Sequence, residues 1–258
     1  MSSRVVDARA VPVRAGAGDQ PTVRATVGGA GPDGLHGLEQ SVLDCSPGRS
    51  RPRATGDCEE VLFVLAGRGA LELDGVTHEL EPESGAYLAP GECYELVNTG
   101  PAPLTLVSVR IPDPNLGPAA GPALGPRAVV RRLAEQEAET ATAQREFRIV
   151  ADPRSGLRSA THFVGYVPPG RAPDHFHAYD EVIYVLEGTG TLHVDGVEQP
   201  LGPGSCLQLP ARTVHCLENS GREVLRLVAV FRPAGSPAAA YYPDGTPAHA
   251  AAPQLNSC

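Results

Sequence analysis

Apolar and polar positions along the chain favour short β-strands over helices. The longest apolar runs, VLFVLAG after Glu60 and VIYVL after Glu181, are strand-length and rich in β-branched residues. Each run leads to an Asp-Gly pair, at Asp74 and Asp195, which signals a turn between hairpin strands. The 29 glycines and 26 prolines supply the turns that many short strands need. The pattern predicts an all-β protein.

The chain contains an internal duplication. The segment EVLFVLAGRGALELDG from Glu60 aligns without a gap to EVIYVLEGTGTLHVDG from Glu181. Such self-similarity indicates two copies of one β-module. We expect an N-terminal arm that packs on the modules, a first module, a Pro/Gly-rich linker, a second module and a Pro/Ala-rich tail. These parts span residues 1–40, 41–112, 113–130, 131–232 and 233–258.

The second copy carries side chains typical of a metal site. His175, His177 and Glu181 stand at even separations, so a continuous strand would turn all three to one face. After a Pro-Gly turn, the segment CLQLPARTVHCLEN brings His215 back to them. Burying these groups without a metal would leave several of them needing partners. The set suits one divalent transition metal (iron, manganese, nickel, copper or zinc), and the sequence does not choose among these.

The first copy keeps only the carboxylate. Counting back from Glu60, Ala54 and Gly56 answer the first two histidines, and Tyr94 or Glu95 answers the third. No imidazole remains at these positions. We therefore expect the first module to bind no metal and to be structural, closing a sheet edge of the second. Whether it also contributes to the pocket of the second module is left open by the sequence.

Both motifs of the second copy resemble those of the cupin superfamily. The first, G-x5-H-x-H-x3-E-x6-G, is matched by His175, His177, Glu181 and Gly188, with Gly170 one residue closer than usual. The second, G-x5-P-x-G-x2-H-x3-N, is matched by Gly204, Pro210, His215 and Asn219. Arg212 stands where the family usually has glycine, which predicts a different backbone at that turn.

The resemblance implies a fold and a ligand set. The fold would be two tandem cupin barrels, each a double-stranded β-helix or jelly roll, with the second barrel competent for metal. The implied metal ligands are His175, His177, Glu181 and His215.

Charge and composition exclude several partners. A formal charge of -9 and a pI near 5.4 argue against nucleic acid or an anionic membrane surface. Every basic residue is arginine, which excludes Schiff-base chemistry on lysine. No secretory leader or membrane-length apolar run is visible, so we expect a cytoplasmic protein. We expect it to be a monomer or a homodimer. The six cysteines lack metal-type spacing and are expected to be free thiols.

Four further side chains are candidate contacts for a small-molecule substrate. His162 and Tyr166 stand in phase on the strand that precedes the metal motif, where the alternative is a place at the barrel rim. Arg171 and Arg226 are candidates to hold a carboxylate or an enolate, because a guanidinium makes two parallel charge-assisted bonds. The alternative for both arginines is a surface ion pair.

The metal is expected to carry the chemistry, since the sequence shows no Ser-His arrangement and no phosphate-binding loop. The favoured hypothesis is a metalloenzyme for a chelating, oxygen-rich substrate, foremost a dioxygenase resembling quercetin dioxygenase. The second hypothesis is a non-redox isomerase, cyclase, decarboxylase or hydrolase. Ureidoglycine aminohydrolase is a bicupin (a chain of two cupin modules) of this size. Its ligand pattern resembles E-x-H-x3-H with a later glutamine, whereas this sequence has H-x-H-x3-E with a later histidine. The third hypothesis is a ligand-binding bicupin without catalysis.

Overall fold

The computed structural model of the protein describes residues 3–14, 21–28, 37–112, 123–141 and 144–248. Strands dominate these residues, with short 3-10 helices at Ala8–Ala10, Leu133–Glu135 and Pro153–Ser155. No helix in the described ranges is long and apolar enough to cross a membrane. Residues 113–122 of the predicted linker and the last ten residues of the predicted tail lie outside these ranges.

All strand pairs are antiparallel. The strands before residue 133 are β1 (Arg4–Asp7), β2 (Thr22–Gly28), β3 (Glu39–Cys45), β4 (Gly48–Arg49), β5 (Arg53–Ala54), β6 (Glu59–Ala66), β7 (Gly69–Leu73), β8 (Val76–Leu80), β9 (Ser84–Leu88), β10 (Cys93–Asn98), β11 (Leu104–Ile111) and β12 (Val130–Arg132). The strands after it are β13 (Glu139–Thr140), β14 (Glu146–Ala151), β15 (Thr161–Val167), β16 (Gly170–Arg171), β17 (Asp180–Glu187), β18 (Gly190–Val194), β19 (Val197–Leu201), β20 (Ser205–Leu209), β21 (His215–Asn219) and β22 (Leu225–Arg232).

Each module is a large sheet packed on a small one. In the first module the large sheet has the order β12-β9-β6-β11-β3-β2, and the small sheet runs β4-β10-β7-β8 with β5 also on β10. In the second module the orders are β1-β20-β17-β22-β15-β14-β13 and β16-β21-β18-β19. A separate apolar core fills each pair of sheets. The all-β prediction of two tandem cupin-type barrels is confirmed.

The two modules pack through their large sheets. Phe63 and Val107 of the first module share a third core with Val164, Val182 and Val228 of the second. This contact explains the unbroken apolar run of β6: Leu62 and Val64 face the module's own core, while Val61 and Phe63 face the other module. Because both faces are buried, polar and apolar residues do not alternate.

Edge strands are exchanged between the halves. Strand β1 of the arm pairs with β20 in the second module, and β12 pairs with β9 in the first. A covered edge leaves no row of free backbone groups for another chain to pair with. The arm therefore closes the sheet edge that we expected the first module to close. Strand β12, which the predicted boundary at 130/131 divides, belongs by pairing to the first module.

The hairpin turns form as the Asp-Gly pairs predict. Asp74 and Gly75 have φ of +50° and +76°, and Asp195 and Gly196 have +52° and +74°. Positive φ at both central residues is what a two-residue hairpin turn of type I′ requires. The five cysteines among the described residues are free, as expected.

Candidate metal centre

Three histidines of the second module converge on one point. The ligand atoms of His175, His177 and His215 all lie within 4.8 Å of one another. His215 begins β21, and His175 pairs with it across an isolated bridge whose N–H···O distances are 3.0 and 2.8 Å. Two residues on, the carbonyl of His177 accepts the N–H of Arg212 at 2.7 Å. Backbone pairing thus positions all three rings.

The hydrogen bonds of the rings leave one nitrogen free on each. Nδ1 of His175 lies 3.0 Å from the carbonyl oxygen of Pro173, and Nδ1 of His177 lies 2.9 Å from that of Ala239. Nδ1 of His215 lies 2.8 Å from the oxygen of Thr213. A carbonyl only accepts, so each Nδ1 carries the proton and each Nε2 keeps a lone pair.

This donor set fits a divalent transition metal. Metal-bound histidines characteristically donate their other ring N–H to a carbonyl or carboxylate, which fixes the tautomer and the ring orientation. Burial also lowers the pKa of all three imidazoles, that of His177 to about 4. Neutral imidazole is the form that binds a metal.

Glu181 lies in the same cavity but outside the histidine group. It stands on β17 in the large sheet, whereas His175 is bridged to the small sheet, because the chain passes from one sheet to the other before Asp180. The continuous strand expected from 175 to 181 is therefore not formed. Burial raises the pKa of Glu181 to about 8, and the nearby Arg145 opposes that rise. Its role as a fourth ligand stays a prediction.

The histidines line a cavity of about 90 Å³. Its wall is mainly apolar, with Phe147, Phe163, Val167, Ile183, Leu209, Leu217 and Leu227. The other polar or charged side chains of the wall are Arg145, Glu146, Tyr166, Tyr179 and Glu181. An apolar cavity with a few convergent polar groups is the usual form of a small-molecule site.

Of the four candidate substrate contacts, Tyr166 is among the residues that line this cavity, although it also packs against the core between the modules, and the other three lie elsewhere. His162 packs edge-on against Phe63 at 6.0 Å in the core between the modules, because Phe163 takes the cavity side of β15. Arg171 is exposed and lies 3.4 Å from Asp174.

Arg226 also lies outside the cavity wall. It bonds to Glu83, lies 3.2 Å from Glu187 and stacks over the ring of Tyr166 at 5.5 Å. Arg171 and Arg226 thus form ion pairs with nearby carboxylates, which was the alternative to a substrate contact.

Two cavity residues were missed by the sequence analysis. Tyr179 stacks on His177 with ring centroids 4.6 Å apart and on Phe231 at 3.9 Å. Its even spacing from His175 and His177 was a signal that could have identified it. Arg145 comes from the segment before β14 and donates to the carbonyl of Leu217. No local pattern marks it.

Strand register identifies the corresponding positions in the first module. His215 pairs with Val194, and Leu73 is the residue that corresponds to Val194 in the repeat. Because Tyr94 pairs with Leu73, Tyr94 and not Glu95 corresponds to His215. Arg53 pairs with Tyr94 as His175 pairs with His215.

Arg53, not Ala54, therefore answers His175, because the first module has one extra residue after this position. Gly56 answers His177 as expected, since its carbonyl accepts the N–H of Gly91 at 2.7 Å. That bond corresponds to the one between Arg212 and His177.

Cationic and phenolic groups fill the first module at these positions. Glu60 accepts a hydrogen bond from Ser108 at 2.6 Å and lies 3.9 Å from Arg53 and 3.7 Å from Arg110. Arg53 also donates to the hydroxyl of Tyr94 at 3.0 Å. No histidine enters this group among the described residues.

The turn at Arg212 keeps the glycine backbone. Arg212 has φ of +63°, and Gly91 in the equivalent turn has +82°. The prediction of a different backbone at this turn was wrong: the arginine adopts the left-handed conformation.

A family model described as Cupin domain matches residues 42–110 and 162–231, more than half of the chain. Both segments lie within the two predicted modules.

Two curated relatives align with shorter stretches. The chain is 50% identical over 46 residues to quercetin 2,3-dioxygenase of Bacillus subtilis (strain 168), which covers 17% of this chain and 14% of that protein. It is 32% identical over 82 residues to L-ectoine synthase of Bordetella petrii, which covers 31% of this chain and 61% of that protein. The chain thus spans less than two thirds of either relative.

Among solved structures, a variant of Bacillus subtilis oxalate decarboxylase has a similar fold. The TM-score is 0.70 at 14% identity, over 93% of this chain and 79% of that chain. At this identity the likeness concerns the fold alone.

Proposed function

The chain belongs to the cupin family, and from that premise we propose that its second module is a metal-dependent catalytic site for a small molecule with adjacent chelating oxygens. The observation that carries this proposal is the group of three imidazoles whose Nδ1 atoms are all held by backbone carbonyls. The three carbonyl contacts leave every Nε2 lone pair directed towards the common point of the cluster. A purely structural group of histidines does not need this arrangement.

The ligands of the proposed site are His175, His177 and His215, with Glu181 assigned as the fourth. A divalent metal held there would act as a Lewis acid on a substrate oxygen or, as iron or copper, activate dioxygen. The protein contributes orientation and exclusion of water. The stack of Tyr179 against His177 and Phe231 fixes one ligand ring, and the mainly apolar wall offers water few hydrogen-bond partners.

The reaction we place first is dioxygenation. The short match to quercetin 2,3-dioxygenase supports it, and the ligand types suit iron or copper.

A non-redox cyclase, isomerase, decarboxylase or hydrolase is the second candidate, favoured by two observations. One is the match to L-ectoine synthase over 82 residues. The other is the cavity volume of about 90 Å³, which accommodates several water molecules or a small organic acid. Neither observation requires a change of oxidation state in the reaction.

Elemental analysis of the full chain as purified tests the proposal. We expect one equivalent of metal, lost in His177→Ala and kept in His193→Ala. The control residue bonds to Glu218 at 2.6 Å and does not line the cavity. Iron or copper would direct the next assay to oxygen uptake with diol and diketone substrates, and manganese, nickel or zinc to isomerisation and cyclisation. No metal in the wild type, even after reconstitution, would leave a non-catalytic ligand-binding protein.

A further inference from the structure

The cavity contains a guanidinium that makes no ion-pair contact with a carboxylate. Arg145 lines the same wall as the three histidines. In the part of the chain that the structure describes, no carboxylate oxygen forms an ion pair with it. By contrast, the arginines at positions 127, 154 and 226 each contact a carboxylate. Arg131 and Arg148 also donate only to carbonyl or amide oxygens, but neither of them lines the cavity of the three histidines.

The position of Arg145 is fixed by backbone contacts. The N–H of Ala141 donates to the carbonyl of Arg145 at 2.7 Å, which closes the turn before β14. The guanidinium donates to the carbonyl of Leu217, on the same strand that begins with His215. A guanidinium has five N–H donors, so one bond leaves capacity for a second acceptor. The side chain is thus anchored beside the candidate metal ligands.

A partly buried cation without a carboxylate in contact is unfavourable, even though Glu181 in the same cavity offsets part of the cost. Burial lowers the pKa of Arg145, which shows that its charged form loses solvation. The penalty for such a group falls when an anion comes into contact with it.

The charges around the inner cavity also call for an anion. The three imidazoles are neutral, Glu181 contributes one negative charge when ionised, and Arg145 contributes one positive charge. Glu146, the other acidic group of the wall, is exposed to solvent. A divalent metal at the histidines would leave the inner cavity with an excess of positive charge, which favours a negatively charged ligand.

We propose that Arg145 binds the carboxylate of the substrate, so that the site takes small α-hydroxy or α-keto acids. Such an acid carries a carboxylate for the planar guanidinium and an adjacent oxygen for the metal. Its size suits a cavity of about 90 Å³. This inference rests on the proposed function and narrows its substrate class.

A matched pair of probes tests the role of the charge. Glycolate and glycolamide have nearly the same shape, but only glycolate is an anion. Each is titrated by calorimetry into the full-length chain loaded with cobalt(II), as wild type, Arg145→Gln and Arg222→Gln. Arg222 is exposed in a loop of the same module and serves as the control.

We expect Arg145→Gln to weaken glycolate binding by about 10- to 100-fold, the loss typical of a charge-assisted hydrogen bond. Binding of glycolamide and the cobalt content should stay unchanged, and Arg222→Gln should behave as the wild type. Arg145→Lys, which keeps the charge without the planar fork, should recover part of the preference for glycolate. Equal glycolate affinity in wild type and Arg145→Gln would overturn the inference.

Cobalt binding, together with the same titrations on the metal-free protein, separates failure of the metal site from failure of the carboxylate site. If the wild type binds no cobalt, the proposed function fails, yet glycolate binding that depends on Arg145 would still support an anion site. If cobalt binds and glycolate ignores Arg145, the metal site stands and the assigned substrate class is wrong. If Arg145→Gln does not fold, the comparison between Arg145→Lys and the wild type decides, because a lysine cannot form the two parallel bonds.

Discussion

In the second module His175 and His215 face each other across a strand bridge, and in the first module the same two positions hold Arg53 and Tyr94. The neighbouring carboxylate is kept in both, as Glu181 and Glu60. In the first module Arg53 and Arg110 lie within 4 Å of Glu60, whereas no arginine forms an ion pair with Glu181 among the described residues. One scaffold thus places its buried carboxylate either beside permanent cations or in a cavity that it shares with three imidazoles.

This difference shows that the barrel does not depend on a metal to pack. Tyr94 and Glu60 are fully buried, and Arg53 bonds to the phenol, so the first interior is closed by its own side chains. The second interior keeps a cavity instead. The candidate site is therefore separable from the barrel that carries it, and exchanges of residues between the modules can test this.

The largest expected effect, on metal affinity, comes from replacing a histidine of the second module by the residue that stands at the equivalent position of the first. His215→Tyr removes one of the three imidazoles. Loss of a residue that only supports a metal ligand weakens metal binding by up to about 100-fold, so loss of the ligand itself should weaken it by more. Titration with cobalt(II), followed by its visible absorption, measures the affinity.

The reciprocal variant is the control. Tyr94→His should gain no metal, because Arg53 and Gly56 still occupy the other two positions. Metal binding by Tyr94→His, or undiminished affinity in His215→Tyr, would contradict the equivalence that the strand register assigns.

Glu60→Gln should lower the free energy of unfolding by about 3 kcal/mol, because it leaves two guanidinium groups facing a neutral amide in a buried site. Urea denaturation gives the stability, and elemental analysis should show unchanged metal content. Ser108→Ala, which removes only the hydroxyl that donates to Glu60, should cost about 1 kcal/mol. A drop in metal content in Glu60→Gln would reveal a site in the first module.

A pH-dependent effect concerns the core between the modules. His162 is fully enclosed, its Nδ1 has no hydrogen-bond partner, and burial lowers its pKa to about 3. Gln40, its counterpart in the first module, accepts a hydrogen bond from Thr26 at 3.1 Å. The unfolded chain would protonate the histidine below its ordinary pKa while the folded chain would not. Stability should therefore fall as the pH decreases from about 6.5 towards about 3, by about 1.4 kcal/mol per pH unit.

Replacing the histidine isolates that contribution. His162→Leu should unfold in urea with a shallower dependence on pH, and the difference in slope from the wild type should approach one proton. Identical slopes in both proteins would mean that His162 becomes protonated without unfolding.

Patterns local in sequence predicted the fold and most of the site. The alignment of Glu60 with Glu181 identified the duplication. The motif spacing of His175, His177 and His215 predicted the three histidines that the structure brings together, although the continuous strand expected from 175 to 181 is not formed. Equivalence of Arg53 with His175 could not be read from a gapless alignment, since the extra residue lies in an irregular segment and only strand pairing reveals it.

Long-range contacts account for what the sequence did not show. Arg145 reaches the cavity by crossing to Leu217, a contact that no local spacing encodes. Strand β12 consists of VRR without alternating apolar residues, and it forms because β9 offers it an open edge. His162 has the right residue type and strand, but which face of β15 looks into the cavity depends on the packing of the two modules.

The smallest expected effect comes from exchanging the residues of the equivalent turns. Arg212 and Gly91 share a left-handed backbone, which costs a residue with a Cβ roughly 1–2 kcal/mol and glycine almost nothing. Arg212→Gly should stabilise the chain by less than about 1 kcal/mol, since the greater freedom of glycine in the unfolded state offsets part of the gain.

Gly91→Arg should destabilise the chain by about 1 kcal/mol through backbone strain alone, because no atom stands within 4 Å of the added Cβ. Both changes in the free energy of unfolding are measured by urea denaturation, with metal content as a second reading. The N–H of residue 212 still donates to the carbonyl of His177 in Arg212→Gly, so the metal should be retained. Retained metal together with higher stability would mean that Arg212 is not needed for the geometry of the ligands. Lost metal would mean instead that the arginine side chain, and not only its backbone, supports the second module's site.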